Sequence, residues 1–281
     1  MTSIARRTVR VSEALIEFID HHPRLFVLTG AGCSTDSGIP DYRDADGEWK
    51  RGRPVMLQDF LATEQARKRY WARSVVGWTR MRGARPNDAH RALASLERQE
   101  RIELLVTQNV DGLHQAAGST RVIDLHGRID VVRCMDCGRR IAREQMQTEL
   151  MQRNPAFAGL AEALHAKVGP DGDADLERVA FETFDVPACD ACDGLLKPDV
   201  VFFGEGVPGD RVRRSMAALD ASDAMLIVGS SLMVYSGYRF AKAMADRGKP
   251  IAAVNLGRTR ADEVLTLKVE HRCADALSFL L

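Results

Sequence analysis

The stretch LFVLTGAGCSTDSGIPDYR, residues 25–43, decides the fold. Leu25–Thr29 is a short apolar run of the kind that fills a buried parallel strand. Gly30-Ala31-Gly32 follows it, which is how a dinucleotide-binding crossover opens. In that fingerprint a third glycine comes next and a helix begins at once. Here Thr35 stands at the third glycine's place, and Gly38 and Pro40 fall where the first helical turns belong. Proline locks its own φ and pushes the preceding residue out of the helical region. The chain keeps the glycine turn of a nucleotide site but continues into a long irregular loop.

Working outward, four more apolar, β-branched runs read as buried strands: Leu104–Thr107, Val122–Leu125, Met225–Val228 and Ile251–Asn255. Helical stretches at 88–99 and Tyr238–Arg247 lie between some of them. The alternation predicts an α/β fold, a parallel sheet with helices on both faces. Ligands of such sheets collect beyond the carboxyl ends of the strands. A polar motif sits at each of those ends: GAG, QNVDGLH, HG, GSS and NLG. Two segments interrupt the pattern and are expected to build a smaller domain from insertions. Residues 49–85 carry an Arg-rich amphipathic helix from Glu64 to Trp78, and residues 127–197 carry two cysteine pairs. The sheet domain is then assembled from 1–48, 86–126 and 198–281.

Composition excludes several classes. The 281 residues hold 39 Lys+Arg against 39 Asp+Glu, so net charge points to neither nucleic acid nor membrane. Hydrophobic residues at 45% and charged residues at 28% are ordinary for a globular chain, which argues against disorder. No apolar run approaches membrane-span length. The N-terminal MTSIARRTVRVSEAL has arginines but no apolar signal core, and reads as an exposed first helix of a cytosolic protein; a transit peptide is the alternative.

Cys134/Cys137 and Cys189/Cys192 form two Cys-x-x-Cys pairs, with Cys33 and Cys273 standing apart. Two such knuckles supply four thiolates for one tetrahedral Zn²⁺, and a closed four-thiolate set makes that zinc structural. The alternatives are disulfides or a redox pair, which a reducing compartment disfavours. The separation between pairs exceeds that of a simple zinc ribbon, so the insert has to fold back on itself.

After the second strand, Gln108, Asn109 and Asp111 place two amides and a carboxylate at a strand end, suited to ribose hydroxyls and a carboxamide. The bland alternative for Asn-Val-Asp-Gly is a turn. His126 at the next strand end is a candidate general base, since histidine titrates near neutrality; the alternative is a structural hydrogen-bonder. Gly229-Ser230-Ser231 and Asn255-Leu256-Gly257 let a nucleotide approach backbone, or are plain strand-to-loop punctuation.

Together, GAGCSTDSGIPDYR, TQNVDGLH, the LHG around His126, the four cysteines, KPDVVFFGE (197–205), GSSLMVYS (229–236) and NLG resemble the sirtuins, NAD-dependent protein deacylases. The blocks run in family order over roughly residues 24–275. RYWARSVVGW (69–78) is similar to the class II branch, which includes a mitochondrial lysine deacylase. The resemblance implies a Rossmann-like domain plus a smaller zinc-binding domain, NAD and an acyl-lysine protein or peptide meeting in the cleft between them, one structural zinc per chain, and acyl transfer to ADP-ribose. It places NAD on Gly30, Ala31, Gly32, Cys33, Ser34, Asp41, Tyr42, Arg43, Gln108, Asn109, Val110 and Asp111. Gly229, Ser230, Ser231, Asn255, Leu256, Gly257 and Cys273 line its adenosine end. The substrate strand is flanked by Val201, Phe202, Phe203, Gly204, Glu205 and Val234. Catalysis falls to His126 with Asn109 and Asp111: nicotinamide leaves, the acyl oxygen attacks the ribose, and His126 accepts a ribose hydroxyl proton.

Tyr70 and Arg73, three apart on the predicted helix, resemble a Tyr-x-x-Arg pair that holds acidic acyl chains in a related sirtuin branch. The resemblance implies that Arg73 grips such a carboxylate; the alternative is a solvated basic face. Rival readings are an ADP-ribosyltransferase using the same NAD site, a non-catalytic NAD sensor, and a dehydrogenase. The last lacks the acidic strand end about 20 residues after the glycines. No direct nucleic-acid or membrane partner is expected, a monomer suffices, and the expected location is bacterial-type cytoplasm, with mitochondria the lesser alternative.

Overall fold

The computed structural model describes residues 13–50, 54–155, 157, 169–174 and 181–281. Six strands form one parallel sheet: β1 (Leu25–Thr29), β2 (Ile102–Thr107), β3 (Val122–Asp124), β7 (Ala224–Val228), β8 (Ile251–Val254) and β9 (Leu267–Val269), in the order β3-β2-β1-β7-β8-β9. The five expected strands are present, and β9 is an addition at the edge. β1 is buried at every position, as a central strand covered on both faces must be. Its side chains alternate between two cores. Leu25 and Val27 join Leu15, Ile19, Leu93 and Leu96 from helical residues 13–21 and Asp88–Arg98, while Phe26 and Leu28 join Leu219, Phe240 and Met244 from Gly209–Ala221 and Tyr235–Asp246.

Two expectations are revised. The described part of the first helix is not an exposed one, because Leu15 and Ile19 are among its fully buried residues; residues 1–12 lie outside the described residues. The helix expected over Glu64–Trp78 runs Glu64–Gly83, capped by the Thr63 hydroxyl accepting from the Ala66 amide at 3.0 Å. It buries 70–72 and 74–78 in unbroken runs, so it is enclosed rather than one-sided.

A second sheet is antiparallel, in the order β5-β4-β6: β4 (Gly127–Cys134), β5 (Arg140–Ala142) and β6 (Leu196–Val200). β4 ends on Cys134, and Cys134 pairs with Leu196 just past the second knuckle. That ladder closes the long separation between the cysteine pairs. The 169–174 loop lies on the long helix, so close that a Cβ on Gly77 would stand 1.7 Å from the Gly172 carbonyl oxygen.

Candidate active site

The glycine turn leaves β1 as two short 3-10 turns, Ala31–Cys33 and Thr35–Ser37, and Gly38 then adopts φ 82°. No α-helix follows, as Gly38 and Pro40 predict. Gly32 is required by its neighbour: its amide donates to the Gly229 carbonyl at 2.8 Å, and a Cβ there would lie 3.0 Å from the Gly229 backbone. The loops after β1 and β7 thus cross with bare main chain.

Beyond these strand ends lies a cleft of about 360 Å³. Its wall includes Gly30, Ala31, Gly32, Ser34, Asp41, Tyr42, Arg43, Gln108, Asn109, Val110, Asp111 and His126, and also Val201, Phe203, Gly229, Ser230, Ser231, Val234, Asn255 and Leu256. Twenty residues nominated from the sequence therefore meet at one surface. Tyr42, Trp49 and Phe203 stack edge to face, 5.7–6.1 Å between centroids, and the Arg43 guanidinium lies 3.8 Å from the Trp49 ring centroid. Lys50 pairs with Asp41 at 2.5 Å. The loop after Pro40 is folded back on itself against the cleft.

The polar floor is a connected network. Asp111 accepts from the Ser34 hydroxyl at 2.7 Å and from the Leu113 amide at 2.9 Å. Asn109 donates to the Gly30 carbonyl and to Ser34 Oγ, both at 3.0 Å. The Ser230 hydroxyl donates to Gln108 Oε1 at 2.6 Å. His126 Nδ1 lies 2.9 Å from the Gln108 carbonyl, which can only accept, so Nδ1 carries the proton. Nε2 is left with its lone pair, 2.8 Å from the Ser236 hydroxyl that donates to it. Burial lowers the His126 pKa to about 4, against the pull of the Gln108 carbonyl and helped by Arg211 and Arg239. The ring is neutral at pH 7, as a base must be.

Eight residues nominated for NAD or substrate lie outside the cleft wall. Tyr70 and Phe202 are core: they pack with Phe60 at ring separations of 5.3–5.4 Å. Arg73 faces Asp173 at 2.7 Å and the Ala174 carbonyl at 2.7 Å, so its charge is spent on the 169–174 loop. Gly204 packs near Met56, and Gly257 sits behind the loop that Arg258 holds by donating to the Ala45 carbonyl at 2.8 Å. Cys33 and Cys273 are buried beneath the site. Glu205 accepts from the Phe202 amide and from Lys197, both at 2.9 Å. Burial holds the Lys197 ammonium below its ordinary range, against the pull of Glu205. Glu205→Ala should cost about 2 kcal/mol by stripping a buried cation of its partner, and Glu205→Gln less; urea denaturation measures both.

The sequence reading missed Ile39, Trp49, Pro170, Asp171 and Leu232, which also line the cleft. Trp49 had a signal in its aromatic type beside Gly47. Pro170 and Asp171 had none, because their place depends on the loop docking to a helix about 90 residues earlier.

The four cysteine sulfurs all lie within 4.8 Å of one another, Cys134 to Cys192 at 3.5 Å and Cys137 to Cys189 at 3.8 Å. A tetrahedral Zn²⁺ with bonds of about 2.3 Å sets sulfurs about 3.8 Å apart, so the set fits zinc. The cleft fits a dinucleotide by its chemistry: bare backbone at Gly30, Gly32 and Gly229, beside amides, a carboxylate and hydroxyls that match a diphosphate, a carboxamide and riboses.

Residues 30–236 match the Sir2 family. A protein of Xanthomonas campestris pv. campestris named NAD-dependent protein deacetylase is 64% identical over 267 residues, 95% of this chain and 90% of that one. One of Bradyrhizobium diazoefficiens, NAD-dependent protein deacetylase 2, is 61% identical over 270 residues, 96% and 97% of the two chains. Among solved structures, a Sir2 with p53 peptide and NAD+ has a TM-score of 0.74 at 30% identity, covering 95% of each chain. A Sir2 bound to acetylated peptide has a TM-score of 0.73 at 29% identity, covering 95% of this chain and 96% of that one. Sheet order, paired cysteines, strand-end cleft and these likenesses agree: the chain belongs to the Sir2 family.

Proposed function

We propose that this chain is an NAD-dependent protein lysine deacylase that prefers neutral acyl groups. The observation that carries it is His126, set in the cleft with Nδ1–H donated to the Gln108 carbonyl and the Nε2 lone pair held by the Ser236 hydroxyl. NAD, when bound, supplies ADP-ribose as the acyl acceptor and nicotinamide as the leaving group. Gly30, Ala31, Gly32 and Gly229 offer backbone to its diphosphate. Gln108, Asn109 and Asp111 address the nicotinamide ribose and carboxamide, while Ser230, Ser231, Asn255 and Leu256 serve the adenosine end. Val201, Phe203 and Val234 flank the acyl-lysine peptide. His126 Nε2 accepts the ribose hydroxyl proton, and Ser236 holds that nitrogen in place. The two knuckles hold one structural zinc.

The preference for neutral acyls rests on Arg73, which is engaged by Asp173 and the Ala174 carbonyl and is not part of the cleft wall. RYWARSVVGW supports a class II placement. Among the described residues no helix is long and apolar enough to cross a membrane, and cysteine usage favours the cytoplasm as the location.

The test is a panel of acetyl-, propionyl- and succinyl-lysine peptides with NAD, read by mass spectrometry. Deacylated peptide with O-acyl-ADP-ribose supports the reading. ADP-ribose attached to protein, with no deacylation, replaces it with the transferase. A further expectation concerns pH. The base must be neutral, and burial lowers its folded-state pKa from 6.5 to about 4. The acid limb of kcat/KM, which reports the free enzyme, should therefore fall well below pH 6.5.

A further inference from the structure

Directly behind the cleft wall lies a group that the deacylase reading does not use. Cys33 Sγ, a ring nitrogen of His90 and a ring nitrogen of His114 all lie within 4.8 Å of one another, and all three residues are buried, at 1%, 0% and 1% exposure. The two rings are 4.7 Å apart between centroids. The tautomer of His114 follows from its neighbours. Thr29 gives its one hydroxyl proton to Thr107 Oγ1 at 2.8 Å, so it can only accept from His114 Nε2, also at 2.8 Å. Nδ1 is then a bare lone pair, and it has no hydrogen-bond partner among the described residues. A buried, unpartnered acceptor is destabilising unless something else satisfies it.

We propose that Cys33, His90 and His114 form a second metal site, a trigonal thiolate and bis-imidazole set that takes Cu(I). A His₂Cys trigonal set is a copper arrangement, and thiolate selects the soft monovalent ion. Charge favours the same ion: one thiolate, two neutral imidazoles and Cu(I) sum to zero, whereas a divalent ion leaves a net charge in a dry interior. Three-coordinate bonds of about 2.0–2.3 Å put ligand atoms about 3.6 Å apart, so the set closes by no more than about 1 Å. The second shell is in place for His114, whose other N–H is donated to Thr29. His90 has to shift its proton, giving up the 3.3 Å contact that the Asn87 amide makes to its Nδ1. Binding involves no change of oxidation state: the Cu–S bond replaces the S–H bond, and the thiol proton leaves to buffer.

The site couples to the cleft through Ser34. Its hydroxyl lies 3.5 Å from His90 Nε2 while bonding Asp111 and Asn109. Drawing Cys33 and His90 together pulls on the network that faces NAD. Copper is therefore expected to slow turnover about tenfold or more, a consequence that rests on the deacylase reading; copper binding does not.

The test titrates the zinc-loaded protein anaerobically with Cu(I) against a chromophoric chelator, following zinc release and the copper X-ray absorption edge. The expected result is one equivalent bound without zinc loss, in a shell of one sulfur and two nitrogens. Cys33→Ser and Cys33→Ala should lose that equivalent while retaining zinc, and Cys273→Ala should keep it. Copper uptake only as zinc leaves, an all-sulfur shell, unchanged binding in both Cys33 variants, or equal loss in Cys273→Ala would each overturn the site. Binding as expected with unchanged deacylation overturns the coupling. Absence of deacylation before copper is added counts against the deacylase reading alone.

Discussion

His126→Ala is expected to lower NAD-dependent deacylation by about 10²–10⁴-fold, the range typical of a general base, while zinc content and fold are retained. The ring is half-buried and touches the structure mainly through the Gln108 carbonyl and the Ser236 hydroxyl. Its main chain is held independently, since the His126 carbonyl accepts from the Val201 amide at 2.8 Å. Losing the side chain therefore removes a base without undoing β6. The measurement is single-turnover release of O-acyl-ADP-ribose, with metal analysis on the same sample. Wild-type rates in His126→Ala would remove the residue from catalysis and, with it, the observation that carries the functional proposal.

The second large effect concerns stability. Stripping the zinc with a strong chelator, or replacing Cys189 by Ser, should unfold the β4–β5–β6 sheet and expose the apolar cluster beneath it. Structural zinc sites contribute apparent free energies of about 10–16 kcal/mol in small zinc-dependent folds, as large as a whole domain's usual margin of about 5–15 kcal/mol. Cys134 and Cys189 are themselves in that cluster, with Phe60, Trp71, Val132, Met146 and Leu196. Because the same cluster holds Tyr70 and Phe202, next to cleft residues Val201 and Phe203, peptide binding should be lost with the metal. The parallel sheet has its own two cores and should survive. Hydrogen exchange reads this directly: faster exchange over 127–150 and 196–205, with β1, β2 and β7 still protected. Uniform loss of protection would show instead that the two sheets unfold as one unit.

The strand-end motifs were legible because a strand end is a local event. An apolar run, a glycine and a polar group announce it within ten residues. The edge strand β9 was not legible: three residues with Lys268 in the middle are too short to show a period. Tyr70, Phe202 and Glu205 were read as contacts with substrate, yet two are core and one is the counter-ion of Lys197. Residue type and block position cannot separate a side chain that faces a cleft from one turned a single step into the interior. In the loop that follows β6, Val201 and Phe203 line the cleft while Phe202 between them packs against Phe60 and Tyr70.

The amino-acid sequence by itself determined the parallel sheet, the broken glycine loop, the four zinc thiolates and the strand ends where a nucleotide site collects. Each follows from the conformational preferences of a few consecutive residues, or from the fixed reach of a Cys-x-x-Cys turn. The tertiary structure alone decided three things. Asp173 and the Ala174 carbonyl engage the Arg73 guanidinium, both at 2.7 Å. The Gln108 carbonyl sets which nitrogen of His126 carries the proton, and Thr29 engages His114 Nε2 while Nδ1 has no hydrogen-bond partner among the described residues. These depend on atoms 18 to 101 positions apart in the chain, brought together by packing that no local preference encodes.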